Sequence, residues 1–258
     1  MKSALIITTY NWSEALELVL LSITKQTILP DEVIIADDGS KSQTKILIEK
    51  YQKIFSIPLY HFWQEDNQFR AASARNGAIR LAHSEYLIFI DGDMILHPSF
   101  IADHLSFSKQ GTFLQGSRVL IDKVKTRQIL QDKNFPFSFL ERGFLNRKNA
   151  IHSHILAKLY SQYRTTIKGI KTCNFSLYLC DAYKVNGFNE DFIGWGREDS
   201  EFAVRLMNAG IHRKDIKFHA IAYHLYHAEN TRDSLSENHK RLQEAIENNK
   251  IWCESGLK

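Results

Sequence analysis

Residues 86–90, Tyr86-Leu87-Ile88-Phe89-Ile90, are five consecutive apolar positions that run straight into Asp91-Gly92-Asp93. A strand with one face in water alternates apolar and polar side chains, whereas an unbroken apolar strand has to be covered on both faces. Coverage on both faces comes from helices, because parallel strands are joined by crossover connections that lie on the sheet. The rest of the N-terminal half supplies that rhythm. Residues 4–8 are a short apolar run ending in Thr9-Tyr10-Asn11, and Leu16, Val19, Leu20 and Ile23 then recur at helical spacing. Pro30 breaks the chain before a second buried run, 32–36, which ends at Asp37-Asp38-Gly39-Ser40. A helix with Ile46, Leu47 and Tyr51, a strand over 59–63 and an alanine-rich helix over about 70–82 complete a βαβαβ pattern. The expected fold is α/β, a Rossmann-like, mostly parallel central sheet with flanking helices.

After Phe100 the alternation weakens. Residues 112–121 and 173–179 read as strands, a helix begins near Glu198 with Gly210 as its C-cap, and 234–252 reads as a polar helix. No repeat or low-complexity linker divides the chain, so one domain over 1–258 is expected. It divides into two halves, about 1–110, where the alternation is regular, and a smaller one over about 111–258.

Charge is unevenly placed. Residues 121–170 hold ten Lys or Arg against three Asp or Glu, a local +7 inside a chain of +4. Phe135, Phe137, Phe139, Phe144, Tyr160 and Tyr163 are interleaved with that charge. Such a segment suits an anionic lipid surface or a phosphorylated acceptor, or else it is a solvated insertion whose aromatics are core. Cys173, Cys180 and Cys253 are odd in number and form no CxxC pair. That argues against a disulfide framework or a zinc ribbon and for a reducing compartment. The N-terminal apolar run is too short for an export signal, and no stretch approaches the ~18 apolar residues of a spanning helix. The expectation is a cytoplasmic protein, peripheral at most at the inner face of the membrane through 121–170, with no nucleic-acid partner.

The strand ends carry the polar residues, where open α/β sheets build their ligand sites. Asp91 and Asp93 offer hard oxygen ligands for Mg²⁺ or Mn²⁺, ions that bridge carboxylates to diphosphates; a turn or helix cap is the plain alternative. One carboxylate of Asp37-Asp38 can accept a hydrogen bond from the imide nitrogen of uracil, with Thr8 and Tyr10 beside it for hydrogen bonding and for packing on the base. Arg75 stands among small residues that let its helix approach the sheet, so it reaches a phosphate or carboxylate unless it is a surface arginine.

These pieces, TTYN, ADDGS, QEDNQFRAASARN and IFIDGDM in that order, resemble the N-terminal half of family 2 glycosyltransferases of the GT-A fold. The resemblance implies that Thr8, Tyr10 and Asp38 hold a uridine, that Arg75 lies near base and phosphates, and that Asp91 and Asp93 meet ribose and metal. One departure is Phe69, where many members have glycine two residues after the asparagine matching Asn67.

The most informative stretch is Gly194-Trp195-Gly196-Arg197-Glu198-Asp199. Two glycines let the backbone bend sharply beside a tryptophan, a broad apolar plate of the kind sugars stack on. Glu198 and Asp199 fall at a helix N-terminus, where the dipole favours their ionised form, and an acceptor hydroxyl needs a carboxylate as general base. Glu201 pairs with Arg205 four residues on. The stretch resembles the GWG-x-ED motif of β-1,4-galactosyltransferases, polypeptide N-acetylgalactosaminyltransferases and bacterial chondroitin polymerases. The resemblance implies that Asp199 is the catalytic base, that Glu198 binds the acceptor, and that Trp195 contacts donor and acceptor. It also implies a metal-binding histidine downstream: His227, with His224 second. A histidine ligand favours Mn²⁺ over Mg²⁺. His152 and His154, in the basic segment, read as surface histidines. The function expected is metal-dependent, inverting transfer of Gal, GalNAc, Glc or GlcNAc from a UDP-sugar to a glycan or lipid-linked glycan of a bacterial surface polysaccharide or lipopolysaccharide. Two rivals are a sugar nucleotidylyltransferase, which would show a glycine-rich basic loop where TTYN-W stands, and a non-catalytic glycan-binding protein on the same fold.

Overall fold

The computed structural model describes residues 1–135, 138–228 and 232–258. The N-terminal half alternates as the sequence implies: β1 (Ser3–Thr9), α1 (Ser13–Ile23), β2 (Glu32–Asp37), α2 (Ser42–Gln52), β3 (Leu59–Trp63), α3 (Ala71–Leu81) and β4 (Tyr86–Asp91). Then come β5 (Met94–Leu96), α4 (Phe100–Phe107), β6 (Thr112–Gln115), β7 (Arg118–Leu120), α5 (Lys123–Asp132), α6 (His154–Tyr160), β8 (Gln162–Arg164) and β9 (Asn174–Tyr178). The chain closes with α7 (Leu179–Lys184), α8 (Glu198–Asn208), β10 (His212–Asp215), β11 (Ala222–His224) and α9 (Leu235–Glu247).

Eight strands form one sheet in the order β3-β2-β1-β4-β9-β6-β10-β8. β3, β2, β1 and β4 run parallel, β9 lies antiparallel between β4 and β6, β10 is parallel to β6, and β8 is antiparallel at the edge. A smaller sheet, β5-β11-β7, stands at the end of β4. Both faces of the central parallel strands are covered, which is why the middles of β1, β2 and β4 are apolar. Leu5, Ile7, Ile88 and Ile90 point to α1, meeting Leu16, Val19, Leu20 and Ile23. Ala4, Ile6, Leu87 and Phe89 point the other way, to Ala74 and Ala78 of α3 and to Phe188 and Phe202. Phe188 and Phe202 stack at 4.2 Å; losing one such ring would cost roughly 3–5 kcal/mol.

Three expectations are corrected. Residues 112–121 are two strands in different sheets, divided at Gly116, where an added Cβ would lie 2.1 Å from the Asn174 side chain. The Asn174 amide spans that gap, donating to the carbonyls of Ser117 and Ala220. The C-terminal helix stops at Glu247. His152 is not a surface residue: it is partly buried and bonds Asp103 at 3.0 Å. Aromatics of the basic segment divide between core and surface. Phe135 and Phe144 pack on Tyr223 in a third core cluster, Phe139, Tyr160 and Tyr163 are exposed, and Phe137 lies outside the described residues. Among the described residues no helix is long and apolar enough to cross a membrane.

Candidate active site

The register of the parallel strands brings the polar chain ends together. Thr8 is opposite Asp91 on one side and Ala36 on the other, and Thr9 is opposite Asp37. The loops after β1, β2 and β4 therefore open at the same edge of the sheet. Gly39 turns the loop after β2 at φ +92, and an added Cβ would lie 2.5 Å from the Asp66 backbone, so only glycine fits. Asp37 is structural, accepting from Ser40 N at 2.8 Å and facing His61 Nε2 at 3.0 Å. Asp38 is buried and accepts from Gln64 Nε2 at 2.6 Å and from Arg70 N at 2.7 Å. Burial raises its pKa against those two donors. Tyr10 is exposed, its hydroxyl donating to Asp66 Oδ2 at 3.1 Å, so its ring stands beside the 64–70 loop.

Arg75 is buried on α3 rather than at the surface. Its Nε donates to Thr8 Oγ1 at 3.1 Å, and its terminal nitrogens lie 3.5 Å from Asp91 Oδ1 and 3.4 Å from both Glu198 Oε1 and Asp199 Oδ1. Burial alone would lower its pKa, but Asp199, Asp91 and Glu198 together outweigh burial and raise it. One guanidinium thus faces three carboxylates from both halves of the chain. Helix α3 lies close to the sheet because Gly77 meets the Phe62 ring where a Cβ would clash at 2.2 Å. The next residue round, Asn76, pairs its amide with the backbone of Phe188 at 2.7 and 2.8 Å and fixes the loop that leads to α8.

That loop bends at Gly194 and Gly196, both at positive φ, as the sequence implies, and Arg197 follows in the left-handed region. The turn presents Trp195 half-exposed, with the Arg232 guanidinium 5.5 Å above its ring. Gly194 N donates to the carbonyl of Phe69 at 2.9 Å, so the departure at Phe69 leaves a backbone link between the two loops. Glu198 and Asp199 open α8. Asp199 accepts from Thr172 N at 3.0 Å and from Thr172 Oγ1 at 2.7 Å as well as from Arg75. Those three donors hold its two oxygens in fixed directions. Glu198 differs: burial first, and then the Asp199 charge, push its pKa up to about 7. Glu201 and Arg205 form a buried bidentate pair at 2.7 and 2.8 Å that secures α8 internally.

Asp91 and Asp93 face the same cleft. Asp91 keeps 36% of its side chain exposed at the cleft base, yet the surrounding protein raises its pKa. Asp93 is driven to about 8 by burial and then by Asp91, against Arg118. His224 Nε2 and His227 Nε2 lie 3.4 and 3.2 Å from Asp93 Oδ2. Burial, then Arg118 and His227, bring His224 down to about 3, so it is neutral. His227 Nδ1 faces the carbonyl of Ala228 at 2.6 Å, and a carbonyl can only accept, so Nδ1 carries the proton. In the neutral ring the bare Nε2 is then aimed at a carboxylate oxygen, and a proton or a cation has to lie between them. Asp93 Oδ1 is buried without a hydrogen-bond partner among the described residues. An orphaned carboxylate oxygen beside two imidazole nitrogens, with donor atoms within 4.8 Å of one another, fits a divalent ion.

Beside the carboxylates lies a cavity of about 290 Å³ lined by Arg118, Lys168, Lys171, Arg213, Lys217 and Cys173 among others. Arg213 is committed to Asp215 at 2.7 Å, while Lys168 and Lys171 are exposed. Thr172, Arg118, Gln64, Asp66 and Asn76 also belong to this constellation; Gln64, Asp66 and Asn76 lie in the QEDNQFRAASARN stretch without having been singled out, while Thr172 and Arg118 carried no signal in the sequence. Thr172 in particular lies in Lys171-Thr172-Cys173-Asn174, a run with no motif, and only the fold places it against Asp199.

Comparison with known proteins fits this geometry. Residues 4–186 match the family described as glycosyl transferase family 2, and residues 153–228 match the model described as the N-terminal domain of galactosyltransferase. Validoxylamine A glucosyltransferase of Streptomyces hygroscopicus subsp. limoneus is 29% identical over 221 residues, covering 81% of this chain and 48% of that protein. Chondroitin synthase of Escherichia coli is 25% identical over 250 residues, covering 86% and 34%. The chain therefore spans about half or less of these curated relatives. The fold matches that of TarS of S. aureus with a TM-score of 0.67 at 20% identity, over 96% of this chain and 40% of that one, and TarS has also been solved in complex with UDP.

Proposed function

We propose, from the premise that the chain belongs to glycosyl transferase family 2, that it moves a sugar from a UDP-sugar to a hydroxyl of a glycan acceptor with inversion at the anomeric carbon. The observation that carries this reading is the single cleft in which Arg75 joins Thr8 and Asp91 of the sheet edge to Glu198 and Asp199 of α8. Thr8, Tyr10 and Asp38 are the uridine end, with Tyr10 free to pack on a base. Asp91 meets the ribose. Asp93 and His227, with His224 beside them, would hold a divalent ion, and two nitrogen donors favour Mn²⁺ over Mg²⁺. Such an ion, when bound, neutralises charge that builds on a departing diphosphate.

The protein's own groups do the rest. Asp199, with its oxygens aimed by Thr172, takes the proton from the acceptor hydroxyl. That oxygen forms the new bond to the anomeric carbon from the face opposite the UDP oxygen, which leaves with the bonding pair. A UDP-sugar with an α linkage then gives a β-glycoside. Glu198 holds a neighbouring acceptor hydroxyl, and Trp195 offers the stacking surface. The cations of the 290 Å³ cavity suit an acceptor that carries phosphate or carboxylate, as bacterial surface polysaccharides and lipopolysaccharide do. The division of labour proposed is a nucleotide-sugar half at about 1–110 and an acceptor half at about 111–258. The hexose itself is of the Gal, GalNAc, Glc or GlcNAc type.

A cytoplasmic placement at the inner membrane face is supported by α6, where Ile155 and Leu159 stand one turn apart at 73% and 72% exposure next to Lys158 and Tyr160. Exposed apolar groups beside a lysine, in a segment of net positive charge, are what an anionic leaflet takes up. Cosedimentation with vesicles of anionic lipid, lost on Ile155→Ser/Leu159→Ser, checks it. For the central reading the experiment is a screen of UDP-sugars for metal-dependent hydrolysis and transfer, with product anomers read by NMR. Donor turnover with Mn²⁺ supports it; UDP binding with no turnover of any sugar would leave a glycan-binding protein instead.

A further inference from the structure

The short ladder of β5 and β11 carries ligand-type side chains at both ends. The strands are antiparallel, with Ala222 opposite Leu96 and His224 opposite Met94. Asp93, His224 and His227 close one end. His97 and His219 close the other, roughly 10–13 Å away at ~3.3 Å per residue.

At that far end Asp103 of α4 meets His152, from the segment before α6, and His219, from the turn before β11. Asp103 Oδ2 is 3.0 Å from His152 Nε2, and Asp103 Oδ1 is 3.4 Å from His219 Nδ1. One donor atom from each of the three lies within 4.8 Å of the others. The rings of His97, His152 and His219 stack at 4.6 and 4.7 Å, and His154 meets His219 edge-on at 4.6 Å. The His219 side chain is only 5% exposed, and neither ring nitrogen has a hydrogen-bond partner among the described residues. A buried imidazole that makes no hydrogen bond at either nitrogen, with only the longer Nδ1 contact to Asp103, is a rare arrangement, since a neutral ring has one proton to donate and one lone pair to share. The turn that carries it is also specified closely. Phe218 and Ala220, on either side, both take positive φ, and Ala220 N donates to Asp103 Oδ2 at 2.8 Å.

We propose that Asp103, His152 and His219 form a second metal site, for Zn²⁺ or a similar borderline ion, separate from the one at Asp93. Two imidazole nitrogens and one carboxylate oxygen are the donors such an ion prefers, and Mg²⁺ does not. Bonds of about 2.0–2.1 Å in a tetrahedron place neighbouring ligand atoms ~3.3 Å apart; here His152 Nε2 lies 3.0 Å from one Asp103 oxygen and His219 Nδ1 3.4 Å from the other, and one donor atom of each residue is within 4.8 Å of the rest, so small side-chain rotations close the site. His154, edge-on to His219 at 4.6 Å, offers a further imidazole for the fourth position. The ion ties α4, the 151–154 segment and the turn before β11 together, and so fixes the base of the strand whose tip carries His224.

The test uses the untagged full chain with Asp93→Asn and His227→Ala, which dismantle the first site, loaded with Zn²⁺, dialysed and assayed by elemental analysis. One zinc per chain is expected, falling to nearly none when His152→Gln or His219→Gln is added. A chain that retains no zinc overturns the proposal, as does zinc that survives both added substitutions with the fold intact by circular dichroism. Should the added substitutions unfold the chain, zinc-edge X-ray absorption of the double variant decides: two bound imidazoles support the site, and oxygen ligands alone overturn it. The outcome is independent of whether the chain transfers sugar.

Discussion

The Arg75 guanidinium lies 3.4 Å from Asp199, a residue 124 positions further along the chain. That contact is the shortest description of how the two halves of the molecule become one cleft. Arg75 is brought there by α3, pressed to the sheet through Gly77, and Asp199 by α8, whose approach is set by the Gly194–Gly196 bend. Between them the guanidinium offsets the charges of Asp91, Glu198 and Asp199, which without it would repel one another in a partly dry space.

Arg75→Met should therefore destabilise the chain at neutral pH by about 1–3 kcal/mol, less than the full loss of a buried pair, since Glu198 loses its cation while Asp91 keeps contact with water and Asp199 keeps its Thr172 donors. Arg75→Lys should recover only part of that, because an ammonium cannot reach Thr8 and three carboxylates at once. Urea denaturation of the three proteins at one pH measures both numbers. Equal stability of wild type and Arg75→Met would mean the cluster is not held by this residue.

Asp199→Asn should lower transfer by roughly 10²–10⁴-fold, the usual contribution of a general base, while UDP affinity by calorimetry stays within a few-fold. Thr172→Val keeps the carboxylate and removes only one of its three donors. It should reduce kcat by about tenfold with KM for the donor unchanged, since a misdirected base slows the proton transfer without touching uridine. If Thr172→Val raised KM and spared kcat, Thr172 would be serving the substrate and not Asp199.

Much of this was legible before the fold. The apolar run before Asp91 could only be a strand covered on both faces, and it placed the DxD carboxylates at a sheet edge. The glycines around Trp195 implied the bend that the backbone shows at positive φ. What the sequence could not show were partners supplied by unpatterned stretches. Thr172 stands in a run with no periodicity or motif, and Asp66 and Asn76, though inside QEDNQFRAASARN, gave no hint of their partners; they meet Asp199, Tyr10 and Phe188 only because the segment before β9, the 64–70 loop and α3 converge. The split of 112–121 was hidden for a similar reason. Both pieces are apolar enough for one strand, and the break comes from Asn174, about sixty residues away, filling the place of a side chain at Gly116. His152 was misjudged because the charge around it is exposed while its own ring is drawn in by Asp103.

Glu198 gives the chain a pH-dependent instability of known sign. Its folded pKa of about 7 lies above the ordinary 4.5, so the folded state holds the proton more tightly than the unfolded one. Stability from this group is complete below about pH 4.5 and is lost as pH rises through 7. Glu198→Gln removes that loss. In metal-free buffer the variant should gain about 1–3 kcal/mol over wild type at pH 8, and the two should converge near pH 5, as read by chemical denaturation at each pH. A difference that grew towards acid pH would show that Glu198 is held as an anion.

Removal of metal should separate the roles of the cleft's two ends. Dialysis against a chelator should abolish transfer but leave UDP bound weakly through Thr8, Tyr10 and Asp38, and Mn²⁺ should restore activity better than Mg²⁺ because two of the three donors are nitrogens. His227→Ala should raise the Mn²⁺ concentration for half-maximal transfer by ~10–100-fold or more, the range lost when even a supporting partner of a metal ligand is removed. His227 is exposed, and among the described residues its ring meets Trp12 edge-on and His224, so its loss should leave the melting temperature of the metal-free chain almost unchanged. Ala228 adds a finer check. Its carbonyl fixes the proton on His227 Nδ1 and so keeps Nε2 available, and His227→Gln, which offers an amide in place of that nitrogen, should bind Mn²⁺ no better than alanine. Transfer at full rate by the His227→Ala variant in low Mn²⁺ would move the ligand role to His224, the partly buried imidazole 3.4 Å from the same carboxylate.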